Sequence, residues 1–209
     1  MMSIEPLLAG YKRFLAGDLG RHRARWERLA QGQSPKIMVI ACSDSRVDPA
    51  TIFDAGPGEI FAVRNVANIV PPDLGESGYH GVSAAIEFAV TQLEVSEIVV
   101  MGHGQCGGCG AALSHHFDAA APGAGGYIDR WLDLVAPVRD AVIAQHGAHA
   151  TTAMEQAVVR MSLDNLRSFP WIAQRERDGR LQLHGAWFAI MQGELHLLDE
   201  ASGAFAPVR

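Results

Sequence analysis

Residues 97–108 read EIVVMGHGQCGG, and this stretch decides the class of fold. EIVVM is a short run of β-branched and apolar residues, which is typical of a strand buried on both faces. Glycines, a histidine and a cysteine follow the strand at once and open a further helical segment. In a parallel sheet such residues lie beyond the carboxyl ends of the strands, where α/β proteins bind their ligands. The stretch therefore predicts an α/β fold with a functional crevice at the end of this strand.

Two other apolar runs repeat the pattern earlier in the chain. KIMVIAC at 36–42 is followed by SDSR, and EIFAVR at 59–64 is followed by NVAN. An amphipathic helix with a period of 3.6 residues is expected over about 78–93. Strands that alternate with helices predict right-handed crossovers and a mostly parallel sheet. Three polar loops should then converge on one crevice.

The C-terminal half completes this picture. Two long helical stretches are expected at about 127–146 and 151–177, after a glycine-rich loop at 119–126. GAWFAIMQGELHLLD at 185–199 has the turn signal QGE at its centre and reads as a β-hairpin. We expect a mostly parallel central sheet of about four strands plus an antiparallel edge strand, with helices on both faces.

The length of 209 residues fits one domain. We divide it into an N-terminal helical arm over 1–32 and an α/β core over 33–209. Apolar residues of the arm recur at helical spacing and give one helix an apolar stripe. These residues are Leu7, Leu8, Tyr11, Phe14 and Leu15.

Composition excludes several classes of function. The formal net charge of −6 argues against nucleic-acid binding, because neutralising phosphates requires clustered lysines and arginines. No window approaches the roughly 18 apolar residues that a membrane span needs, and no signal peptide is recognisable. The three cysteines are too few for a disulfide framework, so metal binding or catalysis in a reduced compartment is favoured. We therefore expect a cytoplasmic protein without a membrane or nucleic-acid partner.

Residues 101–110, MGHGQCGGCG, fit three chemistries. The glycine spacing resembles a dinucleotide-binding fingerprint, but the acidic residue expected about 20 residues later is missing. Cys106 and Cys109 could form a redox dithiol at a helix N-terminus, yet this leaves Cys42 and His103 without a role. A metal site would use Cys42, His103 and Cys106 and leave out Cys109. We expect Cys109 to be a small buried hydrophobic residue.

Cys42, His103 and Cys106 each lie at the end of a predicted strand. Two thiolates and one imidazole are ligands that select zinc over magnesium or calcium. Three protein ligands leave a fourth position open, as a catalytic zinc site requires. Asp44 can serve as a fourth ligand or as a nearby hydrogen-bond acceptor, and Arg46 can clamp its carboxylate.

The order of motifs resembles that of the β-class carbonic anhydrases, in their plant-like branch. The matching stretches are GQSPK at 32–36, ACSDSRV at 41–47, PGEIFAVRNVAN at 57–68, GVSAAIEFAV at 81–90 and IVVMGHGQCGG at 98–108. The resemblance implies a zinc lyase that reversibly hydrates carbon dioxide to bicarbonate and a proton. It implies one Zn²⁺ per chain on Cys42, His103 and Cys106, with Asp44 and Arg46 as the catalytic dyad.

The resemblance also implies a carbon dioxide pocket at a subunit interface. Its residues would be Gln33, Phe61, Val66 and Phe88, with the backbone amide of Gly107 near the substrate. From periodicity alone, Phe61 and Val66 could equally be ordinary core residues. N-terminal helices that pack on a partner subunit are implied as well, and with them a homodimer or a higher even-numbered homo-oligomer.

Two positions depart from the family pattern. Phe88 stands where the plant-like branch often has tyrosine, which removes a hydroxyl group from the pocket. Val39 stands where one sort of family member has a tryptophan that completes an allosteric bicarbonate site. We therefore expect Asp44 to pair with Arg46 at neutral pH rather than to bind zinc. Hydrolysis of another small linear electrophile such as carbon disulfide, a thiol redox role, or a purely structural zinc remain alternative functions.

Overall fold

The computed structural model describes residues 3–75, 80–147 and 150–209. The chain divides into two compact units, Met1–Ser34 and Pro35–Arg209. The first contains helix α1, Glu5–Phe14, a π-helical turn, Leu15–Leu19, and helix α2, Arg23–Leu29. None of the side chains of α1 is buried, so its apolar stripe is exposed.

The second unit contains one six-stranded sheet. Its strands are β1 Ile37–Cys42, β2 Ile60–Asn65, β3 Glu97–His103, β4 Gln182–Ala189, β5 Glu194–Asp199 and β6 Ala204–Pro207. The spatial order is β2-β1-β3-β4-β5-β6. The first four strands in this order are parallel, and β5 and β6 are antiparallel to their neighbours. The predicted parallel core and antiparallel hairpin are confirmed.

Seven α-helices are described in this unit. They are α3 Pro49–Ile52, α4 Gly81–Thr91, α5 Gly107–Leu113, α6 Gly126–Leu132, α7 Ala136–His146, α8 Thr151–Arg167 and α9 Pro170–Arg177. Short 3-10 turns cover Val66–Asn68 and Asp133–Val135. The expected start of α4 at residue 78 falls in a segment, 76–79, that lies outside the described residues.

Three expectations about the elements were wrong. The stretch 127–146 is two helices, α6 and α7, separated by the 3-10 turn Asp133–Val135 and with Pro137 in the first turn of α7. The stretch 151–177 is two helices rather than one, because Pro170 lacks an amide hydrogen and begins α9 instead of continuing α8. Phe169, the residue before it, is extended, as the proline ring requires. The sheet also has one more strand than expected, since β6 pairs with β5 through a four-residue segment too short to show an alternating pattern.

The core lies on both faces of the sheet. One face packs Met38 and Ile40 of β1 against α4, α8 and α9. On the other face, Val39 and Ala41 belong to a second buried cluster with Met101 of β3 and Ala186 of β4, and Ile52 of α3 packs against this cluster. This two-sided burial explains why β1 is a continuous apolar run rather than an alternating one. Within the described ranges, no helix is both long and apolar enough to cross a bilayer.

Helix α8 lies unusually close to β3, the strand that carries the functional loop. A β-carbon on Gly102 would lie 2.7 Å from Val159 Cγ2, so only glycine permits this approach. The carboxyl end of β3 is therefore held directly against α8. This contact places side chains of α8 within reach of the crevice.

Candidate metal centre

Three side chains meet at the carboxyl ends of the neighbouring parallel strands β1 and β3. Cys42 is the last residue of β1, His103 is the last residue of β3, and Cys106 immediately precedes α5. The ligand atoms of these residues all lie within 4.8 Å of one another, and the two sulfurs are 4.0 Å apart. All three residues are buried. They are brought together because β1 and β3 are parallel neighbours whose ends share one edge of the sheet.

The imidazole of His103 is oriented for a ligand. Its Nδ1 atom lies 2.9 Å from the Gly104 carbonyl oxygen. A carbonyl only accepts, so Nδ1 carries the hydrogen and Nε2 presents its lone pair. Within the part of the chain that the structure describes, Nε2 is buried and has no hydrogen-bond partner. A buried lone pair facing two thiols fits a metal ion, and the backbone contact at Nδ1 is the usual support for such a ligand.

The thiols share this buried environment. Hydrogen bonding with Cys106, and then burial, raise the pKa of the Cys42 thiol to about 12. Contact with Cys109, together with burial, raises the pKa of the Cys106 thiol to about 12. Without a cation the two sulfurs therefore hold their protons at neutral pH, and a metal must displace them.

A strained loop closes over Cys42. The amide of Ala67 donates a hydrogen bond to the Cys42 sulfur at 3.4 Å. Ala67 has φ +63°, a left-handed conformation that is costly for a residue with a β-carbon. Helix α5 packs closely against this loop, because a β-carbon on Gly108 would lie 2.8 Å from Val66 Cγ1. Such strain is typical of functional sites, where packing holds a sulfur-binding amide in place.

Asp44 and Arg46 form a two-point ion pair beside the three ligands. Arg46 Nε donates to Asp44 Oδ1 at 2.9 Å, and Nη2 donates to Oδ2 at 2.8 Å. The backbone amide of Arg46 donates to Oδ1 as well, at 2.9 Å. These bonds hold the pKa of the Asp44 carboxyl far below its usual value, so the group stays ionised.

Arg64 fixes the loop that carries this pair. Its guanidinium donates to the Cys42 carbonyl at 2.9 Å, to the Asp44 carbonyl at 2.6 Å and to the Asp48 carboxylate at 2.8 Å. One side chain on β2 thus ties down the backbone on both sides of the turn after β1. Arg64 acts here as a structural cation, and its donors point to this loop.

Glu155 is a buried carboxylate that the sequence analysis did not single out. Its side chain is 1 % exposed, and its two oxygens accept from the Cys106 amide at 2.9 Å and from Trp187 Nε1 at 3.1 Å. Burial raises the pKa of this carboxyl, and the two donors oppose the shift. A signal did exist, because Glu155 lies on the face of α8 that also buries Val158 and Val159.

Of the expected substrate residues in the second unit, Val66 and Gly107 border the ligand cluster, whereas Phe61 pairs with Met38 at the start of β1, four residues before Cys42. Phe61 and Phe88 stack with ring centroids 5.9 Å apart, and Phe88 is 46 % exposed. Val66 is 36 % exposed and borders the loop over Cys42. Gly107 is exposed, with no atom within 4 Å of where a β-carbon would point. Phe61 and Val66 are therefore not fully buried core residues.

Two further residues discussed from the sequence are Gln33, an expected substrate residue, and Cys109, expected to be a small buried hydrophobic residue. Gln33 belongs to the N-terminal unit, Met1–Ser34, and its role in the substrate pocket stays a prediction. Cys109 is 2 % exposed and is not one of the residues of the metal-binding group. It packs with the apolar residues of α5 and its neighbours, as a small hydrophobic residue would.

Comparison with known proteins identifies the family. Residues 37–195 match the family model described as carbonic anhydrase. The chain is similar to beta carbonic anhydrase 3 of Arabidopsis thaliana, with 32% identity over 201 residues that cover 94% of this chain and 77% of that protein. A second relative, the chloroplastic beta carbonic anhydrase 5 of the same plant, is 37% identical over 78% of this chain and 54% of its own length.

Solved structures agree with this assignment. The β-carbonic anhydrase CcaA superposes with a TM-score of 0.89 at 31% identity, covering 98% of this chain and 99% of that chain. A tetrameric β-carbonic anhydrase of Sordaria macrospora gives a TM-score of 0.82 at 31% identity, covering 97% and 98%. The fold, the metal-ligand cluster and these similarities lead to one conclusion: the chain belongs to the β-carbonic anhydrase family.

Proposed function

We propose that the protein catalyses the zinc-dependent, reversible hydration of carbon dioxide to bicarbonate and a proton. The observation that carries this proposal is the cluster of Cys42, His103 and Cys106 ligand atoms within 4.8 Å, directly beside the Asp44 and Arg46 ion pair. A metal-ligand set next to an ionised, oriented carboxylate is what the activation of water requires.

One Zn²⁺ per chain would be held by Cys42, His103 and Cys106. Two sulfurs and one imidazole suit zinc, and the unpaired Nε2 of His103 supplies the nitrogen ligand. When bound, zinc would act as a Lewis acid that lowers the pKa of water to about 7 and so provides a nucleophile at neutral pH. The site residues named below orient that nucleophile and its substrate.

Asp44 would orient the attacking water. Its carboxylate is fixed by three donors of Arg46 and stays ionised, so it accepts a hydrogen bond from the water and turns an oxygen lone pair toward carbon. Arg46 also donates to the Gln105 carbonyl at 3.0 Å, which ties the dyad to the loop between His103 and Cys106. In this arrangement Asp44 pairs with Arg46 rather than acting as a fourth zinc ligand.

Carbon dioxide is small and uncharged, so its pocket should be mostly apolar with few donors. We assign this pocket to Val66 and the Gly107 amide, a donor to a substrate oxygen, together with Phe61 and Phe88, which would reach the ligand cluster of a neighbouring subunit across an interface. Gln33 is proposed as a second donor. The open space at Gly107 and the exposure of Val66 and Phe88 support this assignment.

We further propose a homodimer or a higher even-numbered homo-oligomer. Phe88 of α4, Val66 beside the ligand cluster and Leu7 of α1 all expose apolar surface, and Leu7 is 73 % accessible. Apolar surface of this kind marks an interface, and a two-fold contact would bury it on both subunits. Replacement of Phe88 by aspartate should shift the mass measured by light scattering at micromolar concentration toward 22.4 kDa. An unchanged mass would contradict this interface.

A reducing compartment such as the cytoplasm is the location that we propose. The three cysteines Cys42, Cys106 and Cys109 are unpaired and buried. In such a compartment thiols stay reduced and remain available as metal ligands.

Stopped-flow hydration of carbon dioxide tests the activity. The zinc-reconstituted protein should accelerate hydration, and removal of zinc by a chelator should abolish the acceleration. Cys106→Ser should lose zinc and activity, whereas the matched variant Cys109→Ser should keep both. Full zinc content and activity in Cys106→Ser would refute the ligand assignment. Hydrolysis of carbon disulfide without hydration of carbon dioxide would refute the substrate.

A further inference from the structure

A single peptide unit in the β3–α5 loop is held at both ends by charged side chains. The carbonyl of Gln105 accepts from Arg46 Nη2 at 3.0 Å, and the amide of Cys106 donates to Glu155 Oε1 at 2.9 Å. These two groups belong to the same peptide bond. A cation thus lies at its oxygen and a carboxylate at its nitrogen, in the orientation that the peptide dipole favours.

This peptide needs support because its conformation is unfavourable. Gln105 has φ +57°, a left-handed conformation that residues with a β-carbon rarely adopt. The peptide leads directly into Cys106, so its orientation sets the direction of the Cys106 side chain toward Cys42. Loss of either charged partner would let the loop relax toward a more favourable backbone conformation.

Glu155 also connects this peptide to the rest of the fold. Its second oxygen accepts from Trp187 Nε1 on β4 at 3.1 Å. A carboxylate that is 1 % exposed is costly to bury unless both oxygens have donors, and here both do. An apolar residue would fill the same place on α8 at lower cost, as Val158 and Val159 do on the same face. The requirement for acceptors at this position therefore comes from two donors, the Cys106 amide of the loop and Trp187 Nε1, and not from packing.

We propose that Glu155 is a positioning residue of the zinc site, which holds the Gln105–Cys106 peptide so that the Cys106 sulfur faces the other two ligands. The inference rests on the proposed zinc site and adds a residue to it. Glu155 does not touch zinc or substrate. It acts through the Cys106 backbone, and this role requires a side chain with two acceptor oxygens.

Glu155→Gln tests this requirement, because glutamine has nearly the same shape but only one acceptor. If its oxygen accepts from the Cys106 amide, its NH₂ group points at the Trp187 donor, and one of the two contacts must open. Removing the competing donor with Trp187→Phe should let the glutamine oxygen serve Cys106 alone. The double variant should therefore recover what Glu155→Gln loses.

The measurements are zinc content, the rate of zinc transfer to a chromogenic chelator, and the absorption spectrum of the cobalt-substituted protein. Glu155→Gln should bind zinc roughly 10–100-fold more weakly than wild type, the usual effect of losing a partner behind a metal ligand, and should release it correspondingly faster. Its cobalt spectrum should shift in the sulfur charge-transfer region. Trp187→Phe and the double variant should release zinc at nearly the wild-type rate.

A second variant keeps the test decisive if Glu155→Gln does not fold. Glu155→Asp keeps the carboxylate but is one methylene shorter, so it withdraws from the Cys106 amide. This variant should also release zinc faster than wild type. Adding Trp187→Phe should not slow the release again, because the shorter carboxylate cannot reach the Cys106 amide.

Wild-type retention in both Glu155 variants would overturn the positioning role while leaving the zinc site intact. Equal losses in Glu155→Gln and in its Trp187→Phe double variant would also overturn it, because packing alone would explain them. A wild-type protein that binds no zinc would instead overturn the proposed function.

Discussion

Replacement of Arg64 by lysine would show how much of the site's order depends on one guanidinium. The three donors of Arg64 reach the carbonyls of Cys42 and Asp44 and the carboxylate of Asp48 at 2.9, 2.6 and 2.8 Å. These acceptors surround the planar guanidinium group, which donates to all three at once. A lysine ammonium is a single point at the end of a flexible chain and reaches one of them at a time.

The expected loss follows from these contacts. The ion pair with Asp48 contributes little, because that carboxylate is 45% exposed and screened by water. The two carbonyl bonds come from a charged donor that is 28% exposed, and bonds of this kind contribute about 1.5–3 kcal/mol each when buried. Allowing for the partial exposure and for one bond that lysine can keep, we expect Arg64→Lys to lower the free energy of unfolding by about 2 kcal/mol.

Urea denaturation of the metal-free protein at a fixed protein concentration measures this effect without a contribution from zinc. Arg139→Lys is the matched control, because Arg139 bonds only the adjacent, 68% exposed Asp140 in the contacts described. It should change stability by less than about 0.5 kcal/mol. An Arg64→Lys variant as stable as this control would refute the view that Arg64 ties the loop to β2. A substantial loss should be accompanied by faster zinc release, since the same bonds position Cys42.

Three further outcomes are expected. Zinc binding to the metal-free protein at pH 8 should release about two protons per ion, because the pKa values of Cys42 and Cys106 are raised to about 12 and zinc binds thiolates. Calorimetry in buffers of different ionisation enthalpy measures this number, and release of no protons would contradict the prediction. Gly102→Ala should lower the free energy of unfolding by about 1–3 kcal/mol, seen as a lower urea midpoint, because the new β-carbon would overlap Val159. An unchanged midpoint would show that α8 can move away. Ser162→Ala should lower the free energy of unfolding by about 1–3 kcal/mol in the same assay, because the buried hydroxyl accepts from the Val70 amide and donates to the Asn68 carbonyl in the loop after β2. Stability equal to wild type would mean that water replaces the hydroxyl.

Strain at the site is distributed over loops that the sheet holds in place. Ala67 and Gln105 both have positive φ, and each presents a backbone group to the ligand set or to the dyad. Neither conformation is favoured locally, so each depends on contacts from other parts of the fold. At Gln105 the bonds of Arg46 and Glu155 supply those contacts, and at Ala67 the bond to the Cys42 sulfur and the close packing of Gly108 supply them. The ligands are therefore arranged largely before any metal binds.

The sequence by itself determined the parallel core and the convergence of the candidate metal ligands. Buried parallel strands need apolar side chains on both faces, so β1 and β3 are visible as continuous apolar runs. Parallel neighbours end at the same edge, and this rule alone brings Cys42 and His103 together. The pairing of Asp44 with Arg46 was expected as well, because only two residues separate them and the contact is local.

Tertiary structure alone decided the features that depend on distant partners. Glu155 lies 49 residues after Cys106, and helical periodicity indicates only that it faces inward, not which donor it meets. Strand β6 is four residues long and gains its identity by pairing with β5, so no local pattern marks it. The left-handed turn at Ala67 is likewise invisible in the sequence, since alanine has no preference for it. Sequence patterns report which face of an element is buried, whereas the partner on that face is chosen by packing of the whole chain.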